Sequence, residues 1–265
     1  MGVTAVHLRL NTVWSRRWLL LQWIRRDFLV RYRQSALGVG WALLQPALLL
    51  LFYGFVFVNV LHVRVPGANY AVFAYCGLAP WTFISNALLW GTNSLAASAG
   101  VIKQVYFPRE IVPLAAGGVM VVDLCISTVV LLVLQLCVQG GLHLAVLGLI
   151  PLFAALVLVV EGVVVFFAVF GALVRDLRFV IPLLIQVGFV ATPVMYPTSQ
   201  GGHKWSAFYS LNPLTHVIGA VRQAVLYGHW PSGILLLASF GIGVGVLVAA
   251  SLYCGSIEGR LPDLL

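Results

Sequence analysis

The sequence predicts an all-α, polytopic membrane protein. Six transmembrane helices are expected, with an amphipathic interface helix before the first and short re-entrant outer helices between spans 5 and 6. Three observations carry this expectation. Of 265 residues, 62% are hydrophobic and only 8% are charged, against roughly 25% charged in a soluble domain. A chain so poor in charge cannot cover its surface in water, whereas lipid solvates such a surface. The apolar residues are gathered into uninterrupted runs of bilayer length, and the basic residues fall on alternate connections between those runs.

A spanning helix needs ~20 mostly apolar residues. Residues 34–63 contain no Asp, Glu, Lys or Arg and hold span 1, at about 38–61. Residues 65–102 are likewise uncharged and hold span 2, at about 70–96. From Ile111 to Val174 the acids are Asp123 and Glu161, and the polar turn Gln139-Gly140-Gly141-Leu142-His143 divides the run into span 3, about 111–138, and span 4, about 146–173. Span 5, about 179–197, contains Pro182 and Pro193, and span 6 is placed at about 232–255. The chain thus divides into an N-terminal segment, 1–37, and a transmembrane domain, 38–265.

Basic residues orient the bundle. With the N-terminus inside, the inner segments carry seven Arg in residues 1–37, then Lys103 and Arg109, Arg175 and Arg178, and Arg260; the outer segments carry Arg64, Lys204 and Arg222. Twelve against three, with an even number of spans, predicts both termini in the cytoplasm. The same distribution explains the net charge of +8 as loops and interfacial anchors, with no nucleic-acid surface. No secretory signal is apparent, because the first apolar run follows a long basic segment and exceeds the length of a signal core.

Residues 18–33 read as an amphipathic helix at the cytoplasmic interface. Leu20, Leu21, Ile24, Phe28 and Tyr32 recur at spacings of three and four, Gln22, Arg25, Arg26 and Arg33 face elsewhere, and Trp14, Trp18 and Trp23 lie nearby. Residues 198–230 are moderately apolar but broken by Gly201-Gly202, Asn212-Pro213 and Gly228. A short outer hairpin or re-entrant segment fits them; a seventh full span is the alternative.

The four cysteines and six histidines are scattered without paired or metal-ligand spacing, so they read as ordinary buried or surface residues and predict no metal site. No HExxH, Gly-x-Ser-x-Gly or Cys pair occurs. The two lysines, Lys103 and Lys204, are not preceded by glycine, so the chain contains no phosphate-binding loop and any ATP hydrolysis must occur on another polypeptide. Asp123 and Glu161 fall inside predicted spans, where acids by default suggest function. Each is a single residue with no Lys or Arg inside a predicted span to pair with it, which favours a structural role. The connection between spans 2 and 3, Val101 to Glu110, mixes charge with Tyr106 and Phe107. It suits either a docking knob for a soluble partner or an interfacial anchor.

Several segments taken together resemble the membrane subunit of polysaccharide-exporting ABC transporters of the ABC-2 type, in particular O-antigen exporters. They are Arg26-Asp27 through Arg31-Tyr32-Arg33, running on through Ser35-Ala36-Leu37-Gly38 to Trp41-Ala42-Leu43-Leu44-Gln45-Pro46; Gly77-Leu78-Ala79-Pro80-Trp81-Thr82-Phe83; Ile102-Lys103-Gln104-Val105-Tyr106-Phe107-Pro108-Arg109; Arg175-Asp176-Leu177-Arg178 with Ala191-Thr192-Pro193-Val194-Met195-Tyr196-Pro197; and Leu211-Asn212-Pro213-Leu214. The resemblance covers about residues 20–265. It implies a transporter subunit and no enzyme, paired with itself and with two copies of an ATPase chain that binds the ATP and Mg; this chain would bind no cofactor. It implies that 102–109 is the coupling helix, that 18–33 is the interface helix at the cytoplasmic entrance, and that 198–228 forms short outer helices at the exit. It further implies a tunnel between two copies, lined largely by spans 1 and 5, in a bacterial inner membrane. Glu161 and the C-terminal tail depart from the family pattern.

A sugar polymer is polar with apolar ring faces, so weak, repeated aromatic contacts let it slide. Phe52, Tyr53 and Phe57 in span 1 and Phe189 and Tyr196 in span 5 are the candidate lining, with lipid- or helix-facing positions as the alternative. At the cytoplasmic surface Arg25, Arg26, Arg31 and Arg33, with Tyr32, are candidates to meet the diphosphate of a lipid-linked polymer or anionic lipids. Capsular polysaccharide, teichoic acid and a small hydrophobic cargo are alternative substrates. An ion-coupled secondary transporter using Asp123 and Glu161 is the alternative of another class, and it would call for an inverted repeat, which the sequence does not display.

Overall fold

The computed structural model describes residues 15–33, 37–60, 62, 65, 68–105, 107–198 and 208–259. All regular structure among them is helical. Helix α1 is Arg17–Tyr32; α2, Trp41–Gly54, is prolonged by a π-helical turn over Phe55–Val60. Helix α3, Tyr70–Ala97, is followed at once by the short α4, Ala99–Gln104, and then by α5, Ile111–Gln139. A 3₁₀ stretch, Leu144–Gly148, leads into α6, Leu149–Leu173; α7 is Leu177–Ala191, α8 Pro213–Leu226 and α9 Gly233–Ile257.

Five stretches are long and apolar enough to cross a bilayer: Trp41–Val60, Tyr70–Ala97, Ile111–Gln139, Leu144–Leu173 and Gly233–Ile257. They coincide within a few residues with the expected spans 1 to 4 and 6. Their ends have local causes. Asn69 caps α3 by accepting the Ala71 amide at 2.8 Å, and Asn212 caps α8 through the Leu214 amide at 3.0 Å, with Pro213 at the first helical position. Gly140 closes α5 in the left-handed conformation, φ 76°, which a side chain would oppose.

Span 5 differs from expectation. The helix predicted over 179–197 ends at Ala191. Its 15 residues reach ~22 Å, short of a ~30 Å hydrocarbon core. Pro193 is the reason: it has no N–H to continue the ladder, and it drives the preceding residue out of the helical region. Thr192 is accordingly extended, φ −100° and ψ 132°. Among the described residues of 198–230 no helix reaches spanning length: α8 has 14 residues and gives way to a turn at Gly228, φ 71°. Residues 199–207, the first part of the expected outer pair, lie outside the described residues.

Helix α3 is the central post. Val72 to Trp81 is buried without a break, and α2, α5, α6, α7 and α8 all pack on it. Helix α9 packs chiefly on α6, where a Cβ at Gly162 would stand 2.6 Å from the Leu247 backbone nitrogen and one at Gly243 would stand 2.9 Å from Leu158 Cβ. In lipid no hydrophobic force draws helices together, so small residues that let backbones approach supply the association. Helices α2 and α7 leave apolar faces outward, including Leu51, Phe52 and Phe55 on the first and Leu183, Val187 and Val190 on the second.

Helix α1 lies along α5, in the same direction. Trp23 meets Phe107 just before α5, Ile24 meets Gly118, and Tyr32 reaches Asp123. Trp23 and Tyr32 are buried, whereas Leu21, placed on the apolar face by its spacing, is exposed. Contact with one neighbour on one side, plus the reach of an indole, selects the buried face here. The last turns of α9 join the same end of the bundle, Cys254 sharing a cluster with Trp23, Phe107 and Ile111.

Candidate functional site

The connection from α3 to α5 is built around four inward-facing residues. Ile102, Phe107, Arg109 and Glu110 are buried. The Phe107 ring lies 5.3 Å from that of Trp23. Arg109 turns back and donates from Nη1 to the carbonyls of Ile102 at 2.9 Å and Val105 at 3.2 Å, which the end of α4 would otherwise leave unpaired. Its guanidinium also sits 5.4 Å from the Phe107 ring centre. Lys103, Gln104 and Val105 are exposed, and Pro108 is half-buried. Tyr106 lies outside the described residues. Phe107, expected beside Tyr106 on a docking knob, therefore fixes the segment from within, while Lys103, Gln104 and Val105 are the surface it presents.

At the other end of α1, three side chains meet over α5. Arg31 Nη2 stands 3.2 Å from Asp123 Oδ2, the Tyr32 hydroxyl donates to Asp123 Oδ1 at 2.6 Å, and Arg31 Nη1 contacts Met120 Sδ at 3.1 Å. The Arg31 guanidinium also lies 5.0 Å from the Trp90 ring centre. Burial, reinforced by the Asp123 carboxylate, pushes the Tyr32 hydroxyl up to about 12, so it stays a donor at neutral pH. Asp123 thus has a cation after all. It comes from the helix preceding the first span, outside the stretches searched for a partner. Arg31 is correspondingly committed within the protein. Arg25 and Arg33 are exposed, and Arg26 pairs with its neighbour Asp27 at 2.7 Å while lying 3.6 Å over Trp23.

The five aromatic residues singled out for a tunnel join in one ladder. Tyr53 and Phe189 are 5.1 Å apart between ring centres. Phe52 abuts Tyr53 at 5.4 Å, Tyr53 leads to Phe57 at 6.5 Å, and Phe57 stacks on Tyr196 at 6.5 Å with an interplanar angle of 12°. Trp81 of α3 backs Phe189 at 5.8 Å, and Tyr209 extends the ladder beyond Tyr196 at 6.3 Å. Phe52 is exposed; Tyr53, Phe57, Phe189 and Tyr196 are half-buried. A cavity of about 560 Å³ opens beside the far end of the ladder, walled by Val187, Val190, Tyr196 and Tyr209.

Residues 192–196, which break span 5, are held by a clamp that the sequence did not announce. Arg222 is buried in α8. It donates to the Val194 carbonyl at 2.6 Å and the Phe73 carbonyl at 3.4 Å, and lies 3.7 Å over the Phe73 ring. The Tyr70 hydroxyl donates to the Met195 carbonyl at 2.9 Å, and Asn212 donates to Thr192 Oγ1 at 2.9 Å. On α3, Gly77 abuts the Val194 carbonyl, where a Cβ has no room. The signal available in the sequence is an arginine in an otherwise apolar segment, which the orientation count treats as an outer-loop charge. Glu161 is buried in α6 against Gly117, and its Oε2 has no hydrogen-bond partner among the described residues.

Residues 19–226 match the family model of the ABC-2 type transporter. The chain belongs to that family. This ABC-2 type membrane protein is 33% identical over 213 residues to the O-antigen export system permease protein RfbA of Klebsiella pneumoniae, a match covering 79% of this chain and 81% of the relative. It is 30% identical over 242 residues to the protein of that name from Myxococcus xanthus, covering 89% and 90%. It is 24% identical over 243 residues to the polysialic acid transport protein KpsM of Escherichia coli, covering 90% and 93%. Membership sets aside the ion-coupled alternative.

Proposed function

We propose that this chain is the membrane-spanning subunit of an ATP-driven exporter that moves a lipid-linked polysaccharide of the O-antigen kind across a bacterial inner membrane. The observation that carries the reading is the likeness, at 30–33% identity over most of both chains, to proteins named as O-antigen export permeases. In this reading two copies assemble with two ATPase subunits, which bind the ATP and Mg, while this chain binds no cofactor. Six crossings, with both termini cytoplasmic, result if α7 and the clamped 192–197 segment together complete span 5. The short helix α8 then lies at the outer face as part of the re-entrant pair, at the exit.

This reading assigns each physical part of an exporter to a feature of the chain. The segment 102–109 would seat in a cleft of the ATPase, offering Lys103, Gln104 and Val105. Exposed Arg25 and Arg33 would meet the diphosphate with forked donors, and Arg26 would join them at the cost of its contact with Asp27. The ladder Phe52, Tyr53, Phe57, Phe189 and Tyr196 would offer ring faces in series along the tunnel wall between two copies. Contacts of that kind release as readily as they bind, as a conduit requires.

Deleting the gene tests this reading. Surface polysaccharide is expected to disappear, with lipid-linked polymer accumulating inside, and to return with the wild-type chain only when an intact P-loop ATPase is coexpressed. Surface polymer unchanged by the deletion would refute it. The 24% likeness to polysialic acid transport proteins supports a second reading, a capsular polymer, distinguished by chemical analysis of the accumulated glycan and its lipid.

A further inference from the structure

A cleft of about 320 Å³ with mixed polar and apolar walls lies among α1, α2, α3 and α5, apart from the aromatic ladder. Its walls include Trp41 and Gln45 of α2, Asn86 and Trp90 of α3, and the Arg31–Asp123 pair. We propose that this cleft is a binding site for a sugar ring of the exported polymer, a proposal that rests on the export reading above.

Depth is the first argument. Asn86 stands eleven residues before the end of α3 at Ala97, hence ~16 Å into the bundle, near the middle of a ~30 Å hydrocarbon layer. Polar side chains at that depth are normally paired or serve a pathway. Among the described residues the side chains of half-buried Asn86 and of exposed Gln45, one turn into α2, have no hydrogen-bond partner. Between them they present two carbonyl acceptors and two NH₂ donors, a set that matches vicinal hydroxyls. The cleft volume falls at the lower end of those that hold small ligands.

The second argument is the indoles. Trp41 is 44% exposed and Trp90 is 50% exposed, although both line the cleft. An indole offers a flat apolar face, which suits the C–H face of a pyranose. The third argument is charge. Arg31 is the cation among the described lining residues, and Asp123 compensates it at 3.2 Å. A diphosphate would have to displace that carboxylate and would meet its repulsion, whereas an uncharged sugar ring would not. Arg31 and Trp90 also line a second cavity of about 560 Å³ that reaches Ala97, Ser98 and Val101, so the cleft shares a wall with a cavity at the end of the bundle where the 102–109 segment lies. The site would hold a sugar unit between the arginines outside and the tunnel wall within.

The test uses the full transporter, chain and ATPase together, in cells that make the polymer. The exposed Cys125 and Cys137 are replaced by Ser, and Thr82→Cys, on the cleft wall between the amides and α5, is titrated with a small charged thiol reagent. Labelling is expected to be about tenfold slower than in isogenic cells lacking the first glycosyltransferase of the polymer, which corresponds to modest site occupancy energies. Equal labelling in the two hosts, as an occupying lipid headgroup or an empty cleft would give, overturns the proposal. In parallel, Trp90→Leu should lower export about tenfold while Trp90→Phe keeps most of it, both at wild-type membrane levels; full export by Trp90→Leu overturns it as well. If neither variant accumulates, the labelling decides. Wild-type export with indifferent labelling refutes the cleft alone, whereas surface polymer that survives deletion of the gene refutes the export reading and the cleft with it.

Discussion

Removing Asp123 should loosen the join between α1 and α5, and the size of the effect follows from the surroundings of the pair. Arg31 and Asp123 side chains are 14% and 13% exposed, with 3.2 Å between nitrogen and oxygen. At an effective dielectric of 20, charges at 4 Å attract by ~4 kcal/mol, and desolvation of both groups subtracts much of that. Breaking such a pair by deleting one partner costs ~3–5 kcal/mol, because the survivor is stranded. Asp123→Ala strands the guanidinium against Met120 and Trp90 and also strands the Tyr32 hydroxyl, so the upper part of that range is expected. Tyr32→Phe removes one hydrogen bond to a charged group, ~1.5–3 kcal/mol. The double variant Arg31→Met with Asp123→Leu should recover most of the loss, since apolar replacement of a buried pair is often near neutral. Thermal unfolding of the detergent-solubilised protein, read by size-exclusion fluorescence across the double-mutant cycle, measures the coupling. If the Arg31 and Asp123 effects simply add, to within ~0.5 kcal/mol, the pair contributes nothing as a pair and the reasoning is refuted.

Four further outcomes are expected. Arg222→Met should cost ~2–4 kcal/mol by leaving the Val194 carbonyl unpaired, with export lost before the protein disappears from the membrane, and Arg222→Lys should restore only part because one ammonium cannot serve both carbonyls and the Phe73 face; export assays and melting curves check both. Gly77→Val forces a side chain into the Val194 carbonyl and should lower stability by ~1–3 kcal/mol or more, whereas Gly219→Ala, which meets nothing within 4 Å, should be silent in the same melts. Glu161→Gln should stay within ~1 kcal/mol of wild type because no cationic partner is seen among the described residues, and Glu161→Leu should be tolerated as well; a loss of export by Glu161→Gln at normal abundance would assign the carboxyl a transport role. Lys103→Glu with Val105→Asp should abolish co-purification of the ATPase while leaving the melt of the isolated chain unchanged, whereas Phe107→Ala should lower that melt, ~3–5 kcal/mol for a buried aromatic.

What the sequence revealed and what it hid follow from the range of the forces involved. The spans were legible because a bilayer imposes length and polarity locally: Gly140 and Asn69 mark ends through contacts within two or four residues. The early end of span 5 is legible too, in Pro193, although the apolar run continues past it to Pro197. Partnerships across the bundle were not legible. Asp123 meets Arg31 and Tyr32 across roughly ninety residues, and Arg222 reaches Phe73 across 149; neither spacing has a period. The ladder candidates were chosen by residue type and span number, and the fold brings all five into one series. Phe107 shows the converse, because an aromatic beside charges reads equally as surface or anchor until its partner, Trp23, is placed.

The 102–109 segment and α1 are packed together, and in the proposed exporter this would shape how a push from the ATPase spreads. Phe107 is packed on Trp23, so displacing the segment displaces the start of α1. The far end of α1 is fixed to α5 at Asp123, so α1 cannot slide along α5 without breaking a buried ion pair. In the proposed exporter α1, α4 and the first turns of α5 would therefore move together. Helix α2 follows α1 in the chain, separated by residues 33–40, and is itself little buried, so it would be carried along with its aromatic ladder. A disulfide locking α1 to α5 near Ile24 and Gly118 should therefore leave export intact, whereas one locking α2 to α7 near Tyr53 and Phe189 should stop it. Export blocked by the first lock and spared by the second, in chains shown to be cross-linked, would mean that α1 moves independently and that the drive reaches the tunnel by another route.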